Sequence, residues 1–188
     1  MSRTPTASQT VGPFFNFGLT SNADLGNLAH PGVNGQRIRL VIRVIDGDGM
    51  PTPGDSMIEL WQADSAGRYP HPLDSAELGE FHGFGRLETD RSGCCIFETI
   101  KPGRTPAPDG SLQAPHINVV IFARGILKHL HTRIYFEGDP ANSDDPILAL
   151  VPAGRRATLC TRPTAGDPET WSFDIVLQGP EETAFFDV

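Results

Sequence analysis

The run RIRLVIRV at residues 37–44 alternates apolar side chains with arginines and a single valine. Ile38, Leu40, Ile42 and Val44 occupy every second position of this run. Successive side chains of a β-strand point to opposite faces of the sheet, so a period of two predicts a strand with one buried face. The sequence DGDG at residues 46–49 follows directly and predicts a tight turn.

Six further stretches have the character of short strands. They lie at residues 57–62, 84–88, 94–99, 117–124, 131–136 and 171–177. Short strands separated by turn signals are typical of all-β proteins. We therefore predict an all-β fold, an antiparallel β-sandwich of roughly seven to nine strands with long loops. The long connections at 62–83 and 101–115 exceed the usual loop length, and such loops are often functional.

The chain of 188 residues is long enough for one domain. Residues 1–35 have no sustained period, yet they carry three phenylalanines in the run FFNF at 14–17. We expect an N-terminal arm over 1–35, docked on its own domain or on a partner, and a β-sandwich domain over 36–188. One short helix is predicted around 145–151, and the neighbouring Asp139, Asp144 and Asp145 are expected to serve loops and caps.

Charge and composition exclude several classes of protein. The net charge of −8 argues against sequence-independent nucleic-acid binding, which needs a basic surface. Apolar runs are far too short to cross a membrane, and the first residues lack the apolar core of a signal peptide. Three cysteines, two of them adjacent, predict free thiols rather than disulfides. These features indicate a cytoplasmic protein that binds neither nucleic acid nor membranes.

Polar residues that could carry chemistry are few. The nucleophile elbow, the phosphate-binding loop and the His-Glu-x-x-His zinc motif are all absent. Tyr69, His116 and Asn118 offer scattered donors, and residues i and i+2 of a strand lie about 6.6 Å apart on one face. The amide of Asn118 is a weak ligand for a transition metal. The residues alone therefore leave open whether His116 binds a metal or is a hydrogen-bonded strand histidine.

Several motifs in order along the chain resemble the intradiol ring-cleavage dioxygenase family. They are SQTVGPFF at 8–15, IELWQAD at 58–64, GRY at 67–69, TIKPG at 99–103, APHIN at 114–118 and FDIVLQG at 173–179. Together they cover nearly the whole chain. The resemblance implies an enzyme system in which a ferric ion, held by two tyrosines and two histidines, binds a catechol that dioxygen then cleaves.

The resemblance also implies that the iron site of this chain is incomplete. Tyr69 matches the first tyrosine of the family and His116 matches the first histidine. Thr105 stands in place of the second tyrosine and Asn118 in place of the second histidine. Gln113 replaces the arginine that precedes the first histidine in catalytic chains. We therefore predict that this chain alone binds no catalytic iron and that these five positions are vestigial.

The α chains of the family show this departure, so the resemblance implies an α chain paired with a β chain that binds Fe(III). The expected reaction opens protocatechuate with O2 to 3-carboxy-cis,cis-muconate in aromatic catabolism, by the β-ketoadipate pathway. The residues expected to help form the substrate pocket of the partner are Thr10, Gly12, Pro13, Phe14 and Arg133.

Two other functions stay open on the sequence. One is a homo-oligomeric dioxygenase that acts on a different catechol with a rebuilt metal site. The other is a β-sandwich carrier or interaction module with no catalytic complex at all. Metal content of the pure chain separates the first from an α chain. Activity that appears only with a β chain excludes the second.

Overall fold

The computed structural model describes residues 13–52, 54, 56–70, 81–107 and 109–187. Ten strands are described: β1 Arg37–Ile45, β2 Ser56–Gln62, β3 Phe84–Glu88, β4 Cys94–Ile100, β5 Thr105–Pro106, β6 Leu112–Gln113, β7 His116–Ala123, β8 Leu130–Phe136, β9 Cys160–Thr164 and β10 Asp167–Val176. Helical segments are α1 Pro13–Thr20 and 3-10 helices at Ala23–Gly26, Pro140–Asp144, Leu148–Leu150 and Ala153–Leu159. The predicted all-β class is confirmed.

The eight long strands form one curled sheet in the order β3-β2-β7-β8-β9-β10-β1-β4. The half that contains β3, β2, β7 and β8 is antiparallel throughout. Two pairs elsewhere are parallel, β8 with β9 and β1 with β10, so the sheet is mixed. Parallel neighbours need a long crossover, and residues 137–159 with their 3-10 helices supply it between β8 and β9.

Apolar side chains at alternate positions along the strands fill the space between the two halves of the sheet. Strand β1 follows the predicted pattern, with its arginines exposed and its apolar partners buried. The core unites both halves in one cluster, which includes Ile38, Leu40, Ile42, Ile58, Leu60, Phe97, Ile117, Val119, Ile134, Phe136, Phe173 and Ile175. The curled sheet therefore packs as a sandwich, with each half covering the apolar face of the other.

A short segment at residues 27–29 fills the gap between the two outer strands of the sheet. The backbone N–H of Leu28 donates to the carbonyl of Glu98 in β4, and the carbonyl of Leu28 accepts from the N–H of His82 just before β3. The Leu28 side chain is fully buried. A Cβ on Gly85 of β3 would lie 2.6 Å from a Leu28 methyl carbon, so glycine is needed where the two meet. This part of the predicted arm packs on its own domain.

The predicted helix around 145–151 is a single 3-10 turn at Leu148–Leu150. The division of the chain into an arm and a domain stays a prediction, since residues 1–12 lie outside the described residues. No helix in the described part of the chain is long and apolar enough to span a membrane.

Gln62, the last residue of β2, joins the two halves of the sheet through hydrogen bonds inside the core. Its side chain is completely buried. Its amide nitrogen donates to the carbonyls of Ala63 and Ile100, at 3.2 and 2.9 Å. Its amide oxygen accepts from the hydroxyl of Thr99 at 2.8 Å. Every polar atom of the Gln62 amide therefore has a partner, and two of the partners lie at the end of β4.

Replacing Gln62 with leucine should destabilise the fold, because the Thr99 hydroxyl and the Ile100 carbonyl would lose a buried partner. We expect the free energy of unfolding to fall by roughly 2–4 kcal/mol, measured by urea denaturation. Gln36→Ala, at an exposed position just before β1, is the matched control and should change it by less than about 0.5 kcal/mol. Equal stability of Gln62→Leu and the unmodified chain would contradict this role.

Candidate functional site

Two loops in direct backbone contact bring Tyr69 and Thr105 to one region. The carboxylate of Asp64 accepts from the N–H groups of Ala66 and Arg68, which folds residues 64–68 into a tight turn. Gly67 has a φ of +81°, and a Cβ there would overlap the carbonyl oxygen of Arg104. The N–H of Gly103 donates to the carbonyl of Asp64 at 2.9 Å. The glycines of GRY and KPG thus allow the two loops to touch.

Strands β7 and β8 bring the remaining candidate residues to the same region. In the register of this pair, His116 lies opposite Tyr135 and Asn118 lies opposite Arg133. Because side chains alternate along a strand, these four share one face, while the intervening Ile117 and Ile134 enter the core. On β8, Arg133 and Tyr135 therefore lie on the same face.

Tyr69, His116 and Asn118 converge in a hydrogen-bonded chain. The Asn118 amide nitrogen donates to the Tyr69 phenol oxygen at 2.9 Å and to the Trp61 carbonyl at 3.2 Å. The Tyr69 oxygen lies 3.4 Å from Nε2 of His116. Nδ1 of His116 lies 2.8 Å from the Ala114 carbonyl, which can only accept, so the neutral ring carries its proton on Nδ1. Nε2 therefore presents its lone pair to the phenol of Tyr69.

His116 and Tyr69 are held in their neutral forms. His116 is 1% exposed, and burial, followed by the positive charge of Arg133, lowers the pKa of His116 to about 4. Burial also raises the pKa of Tyr69, against the opposing effect of the hydrogen bond from Asn118. The pocket therefore disfavours both an imidazolium and a phenolate.

Thr105 and Gln113 face each other across the short pair β5 and β6. The hydroxyl of Thr105 is buried and has no hydrogen-bond partner among the described residues. The side-chain oxygen of Gln113 accepts from Nη1 of Arg133 at 2.7 Å. The same nitrogen lies 3.5 Å from the Tyr135 hydroxyl. Arg133 is therefore directed into the pocket of its own chain, where Gln113 stands.

Asp145 supports the pocket from behind in a way that the sequence did not indicate. It is buried, and its carboxylate accepts from the N–H of Leu148, as expected of a cap. It also accepts from the N–H of Ala114 at 2.7 Å and from the Tyr135 hydroxyl at 3.1 Å. The carboxylate thereby fixes the entry to β7 next to His116. The sequence contained one signal for this contact. Tyr135 lies beside Arg133 on the face of β8 that lines the pocket, and a buried phenol hydroxyl needs a hydrogen-bond partner.

The predicted arm residues lie at the limit of the described chain. Thr10 and Gly12 fall outside the described residues. Pro13 and Phe14 begin helix α1, and the description covers their backbone only. The structure therefore brings together the five vestigial positions and Arg133, whereas the contribution of the arm to a partner site stays a prediction.

The residues of the pocket do not fit a ferric ion. His116 and Tyr69 offer one lone pair each, but Asn118 presents its N–H groups, which cannot bind a metal. Thr105 supplies only a short neutral hydroxyl. Across the described ranges, no group of three or more His, Cys, Asp or Glu side chains could hold a metal ion.

Comparison with known proteins gives consistent matches over most of the chain. A dioxygenase family model matches residues 11–179. The protocatechuate 3,4-dioxygenase alpha chain of Burkholderia cepacia is 45% identical over 196 residues, covering 97% of each chain. The beta chain of that organism is 36% identical over 159 residues, covering 79% of this chain and 67% of that protein. The dioxygenase domain of a carbohydrate-binding fusion protein from Streptomyces sp. SirexAA-E matches with a TM-score of 0.64 and 25% identity, covering 96% of this chain and 100% of that one.

Acid should destabilise the fold through His116. Its pKa in the folded chain, about 4, lies below the ordinary 6.5, so the unfolded chain binds more protons between these values. Stability present above pH 6.5 is then lost toward pH 4, by roughly 3 kcal/mol for this group. We expect the difference in unfolding free energy between the unmodified chain and His116→Gln to shrink by this amount between pH 7 and pH 4.

Urea denaturation at the two pH values measures this difference. His82→Gln, at an exposed histidine, is the control, and the pH dependence of its stability should follow that of the unmodified chain. A fall in stability of the same size in His116→Gln and in the unmodified chain would show that other groups cause it.

Proposed function

Because this chain belongs to the intradiol ring-cleavage dioxygenase family, we propose that it is the α chain of a protocatechuate 3,4-dioxygenase. In this role it holds no catalytic iron and pairs with a β chain that binds Fe(III). Each protomer pair opens the ring of protocatechuate between its two hydroxyl-bearing carbons. Both atoms of O2 enter the product, 3-carboxy-cis,cis-muconate, so the reaction needs no external reductant.

One observation carries this proposal: the residues at the positions that match the family's iron ligands lie together in one pocket, but they form hydrogen bonds with one another and not a complete set of metal ligands. Tyr69, His116 and Asn118 still converge within hydrogen-bond distance. Their contacts are those of a neutral hydrogen-bonded chain, with an amide N–H where a second imidazole is required. Identity of 45% to an alpha chain, against 36% to a beta chain, supports the α role.

The chain serves the reaction by completing the pocket of its partner. We assign this contact to the N-terminal arm, with Thr10, Gly12, Pro13 and Phe14 as its substrate-facing residues. Gly12 and Pro13 suit such a contact, because glycine lets a backbone approach a ligand closely and proline fixes φ. We assign the enzyme to the cytoplasm, where free thiols such as Cys94, Cys95 and Cys160 stay reduced.

The sequence also predicts that Arg133 contributes to the partner's substrate pocket, and this stays a prediction. A guanidinium can bind a benzoate carboxylate through two parallel hydrogen bonds. In the structure, Nη1 of Arg133 is bonded to Gln113 of its own chain. Steady-state kinetics distinguish the two roles, because a residue that binds the partner's substrate affects KM for that substrate.

The paired preparation is the direct test of the α role. The chain is purified alone and together with a co-expressed β chain, and iron content and O2 uptake with protocatechuate are measured. We expect no iron and no uptake from the chain alone, and rapid uptake with iron present in the pair. Stoichiometric iron and uptake by the lone chain would favour a homo-oligomeric dioxygenase. A pair without any activity would favour a non-catalytic module.

Steady-state kinetics of Arg133→Ala in the α/β enzyme test the predicted substrate contact. If Arg133 binds the substrate carboxylate, KM for protocatechuate should rise about tenfold or more, because a charge-assisted bidentate pair is lost. Arg43 is an exposed arginine of β1, in the half of the sheet that does not contain Arg133, and it pairs with Asp174 of the neighbouring strand β10. Arg43→Ala should therefore leave KM unchanged. Unchanged KM and kcat in Arg133→Ala would place this residue outside the substrate pocket.

A further inference from the structure

We propose that His129 and His131, at the start of β8, form a binding site for one late first-row divalent metal ion such as Zn²⁺ or Ni²⁺. The chain supplies two imidazoles, and water supplies the remaining ligands. The site includes neither Tyr69 nor His116, and the inference does not depend on the α role or on the substrate of the complete enzyme.

The strand places the two histidines side by side. Residues two apart in an extended segment point to the same face of a sheet, while Leu130 between them packs against the core. The two rings are in contact, with their centres 4.8 Å apart and their planes at 68°. The centre of the His129 ring also lies 5.4 Å from that of Phe122 in β7. The pair therefore stands on the outer face of the sheet, against β7.

The backbone of His131 is held on both sides. The residue lies opposite Val120 in the antiparallel register of β7 and β8. Its carbonyl accepts from the N–H of Phe186 at 2.8 Å, in the segment that follows β10. A ligand on a rigid strand keeps its position better than one on a loop. At least one of the two imidazoles is therefore in place before an ion arrives.

The separation of the two rings agrees with a shared ion. A histidine nitrogen lies about 2.0–2.1 Å from Zn²⁺, so the centre of its ring lies about 3.2 Å from the ion. Two such rings stand about 4.5–5.2 Å apart when the angle at the ion lies between a right angle and a tetrahedral one. The observed 4.8 Å lies inside this range. Another pair of histidines in contact, His30 and His82, lies outside it at 5.5 Å.

The ring nitrogens of the pair are available to a metal ion. Within the described ranges they form no hydrogen bond, whereas Nδ1 of His30 lies 3.4 Å from the Asn27 amide nitrogen. Burial, and then the charges of His129 and Lys128, lower the pKa of His131, so this ring is neutral at neutral pH. Neutral imidazole is the form that binds Zn²⁺ and Ni²⁺.

Two ion pairs flank the histidines. The ammonium of Lys128 lies 3.2 Å from the carboxylate of Asp187. Across β7, Glu59 of β2 lies in the same cross-strand row as His131, and its carboxylate lies 2.7 Å from Nη2 of Arg86. Each of these cations therefore has a carboxylate partner that offsets its charge.

Arg133 lies two residues beyond His131 on the same face, and its charge also has a counterpart. Its Nη1 lies 2.7 Å from the side-chain oxygen of Gln113 and 3.5 Å from the Tyr135 hydroxyl. That hydroxyl donates to the buried carboxylate of Asp145 at 3.1 Å. Arg133 is not among the groups that shift the pKa of His131. A divalent ion at the pair thus meets little uncompensated positive charge, in a chain whose net charge is −8.

Isothermal titration calorimetry of the full chain with Ni²⁺ at neutral pH tests the site, in protein that carries no histidine tag. Ni²⁺ is the probe because it binds imidazole and, unlike Cu²⁺, is not reduced by the free thiols of the chain. We expect one ion per chain. His129→Gln and His131→Gln should each weaken binding about tenfold or more, because the second imidazole no longer binds intramolecularly.

Two control variants separate this site from other sources of binding. His82→Gln removes a histidine of the wider pair and should leave the affinity unchanged. Lys128→Gln removes the positive charge that acts on His131 and should bind Ni²⁺ more tightly. Thermal unfolding checks that each variant folds. His129 is exposed, so His129→Gln keeps the test valid if His131→Gln does not fold.

Equal Ni²⁺ affinity in the unmodified chain and in His129→Gln would overturn the proposal, and so would a chain that binds no Ni²⁺. An equal loss from His82→Gln would indicate adventitious binding to surface histidines and would overturn it as well. Weaker binding by Lys128→Gln would mean that groups other than the two imidazoles hold the ion. No readout depends on catalytic activity, so failure of this proposal leaves the tests of the α role unaffected.

Discussion

The buried amide of Gln62 holds together both the fold and the pocket. It joins the end of β2 to Thr99 and Ile100 at the end of β4, across the two halves of the sheet. The two loops that form the pocket start directly after these strand ends, at residues 63 and 101. Fixing their starting points brings the loops close enough for backbone contact, and the glycines at 67 and 103 then let them touch.

At two positions of the pocket, 118 and 113, this chain differs from the resembling catalytic chains. The two differences change both the hydrogen bonds of the pocket and the position of its positive charge. Asn118 turns a point where a lone pair would be needed into an N–H donor that bonds Tyr69. Gln113 turns a position that carries arginine in the resembling catalytic chains into an acceptor for Arg133. A positive charge is thus present in the pocket, but it comes from β8. The result is a neutral phenol and imidazole between the guanidinium of Arg133 and the buried carboxylate of Asp145.

The local sequence pattern was enough to predict β1, because its arginines alternate with aliphatic residues and the buried positions of the strand are those of the aliphatic residues. Motif order was enough to predict which residues meet around Tyr69 and His116. The pairing of Arg133 with Gln113 was not predictable, because it depends on the register of β7 with β8 and on where the small strand β6 lies. The position of Leu28 between β3 and β4 was not predictable either, because its backbone hydrogen-bond partners lie more than 50 residues away in the sequence. Parallel pairing of β1 with β10 has the same long-range origin.

The segment that contains Leu28 also limits how this chain can join another. Its backbone bonds Glu98 in β4 and His82 just before β3, and so takes up backbone groups at the outer edges of the sheet. Recognition by adding a strand to a sheet depends on such free edges. A partner that docks beside this segment is therefore selected through side chains on the faces and loops of the sandwich, where each contact depends on residue identity. Divergence of surface residues can then change the partner of this chain while its backbone stays the same.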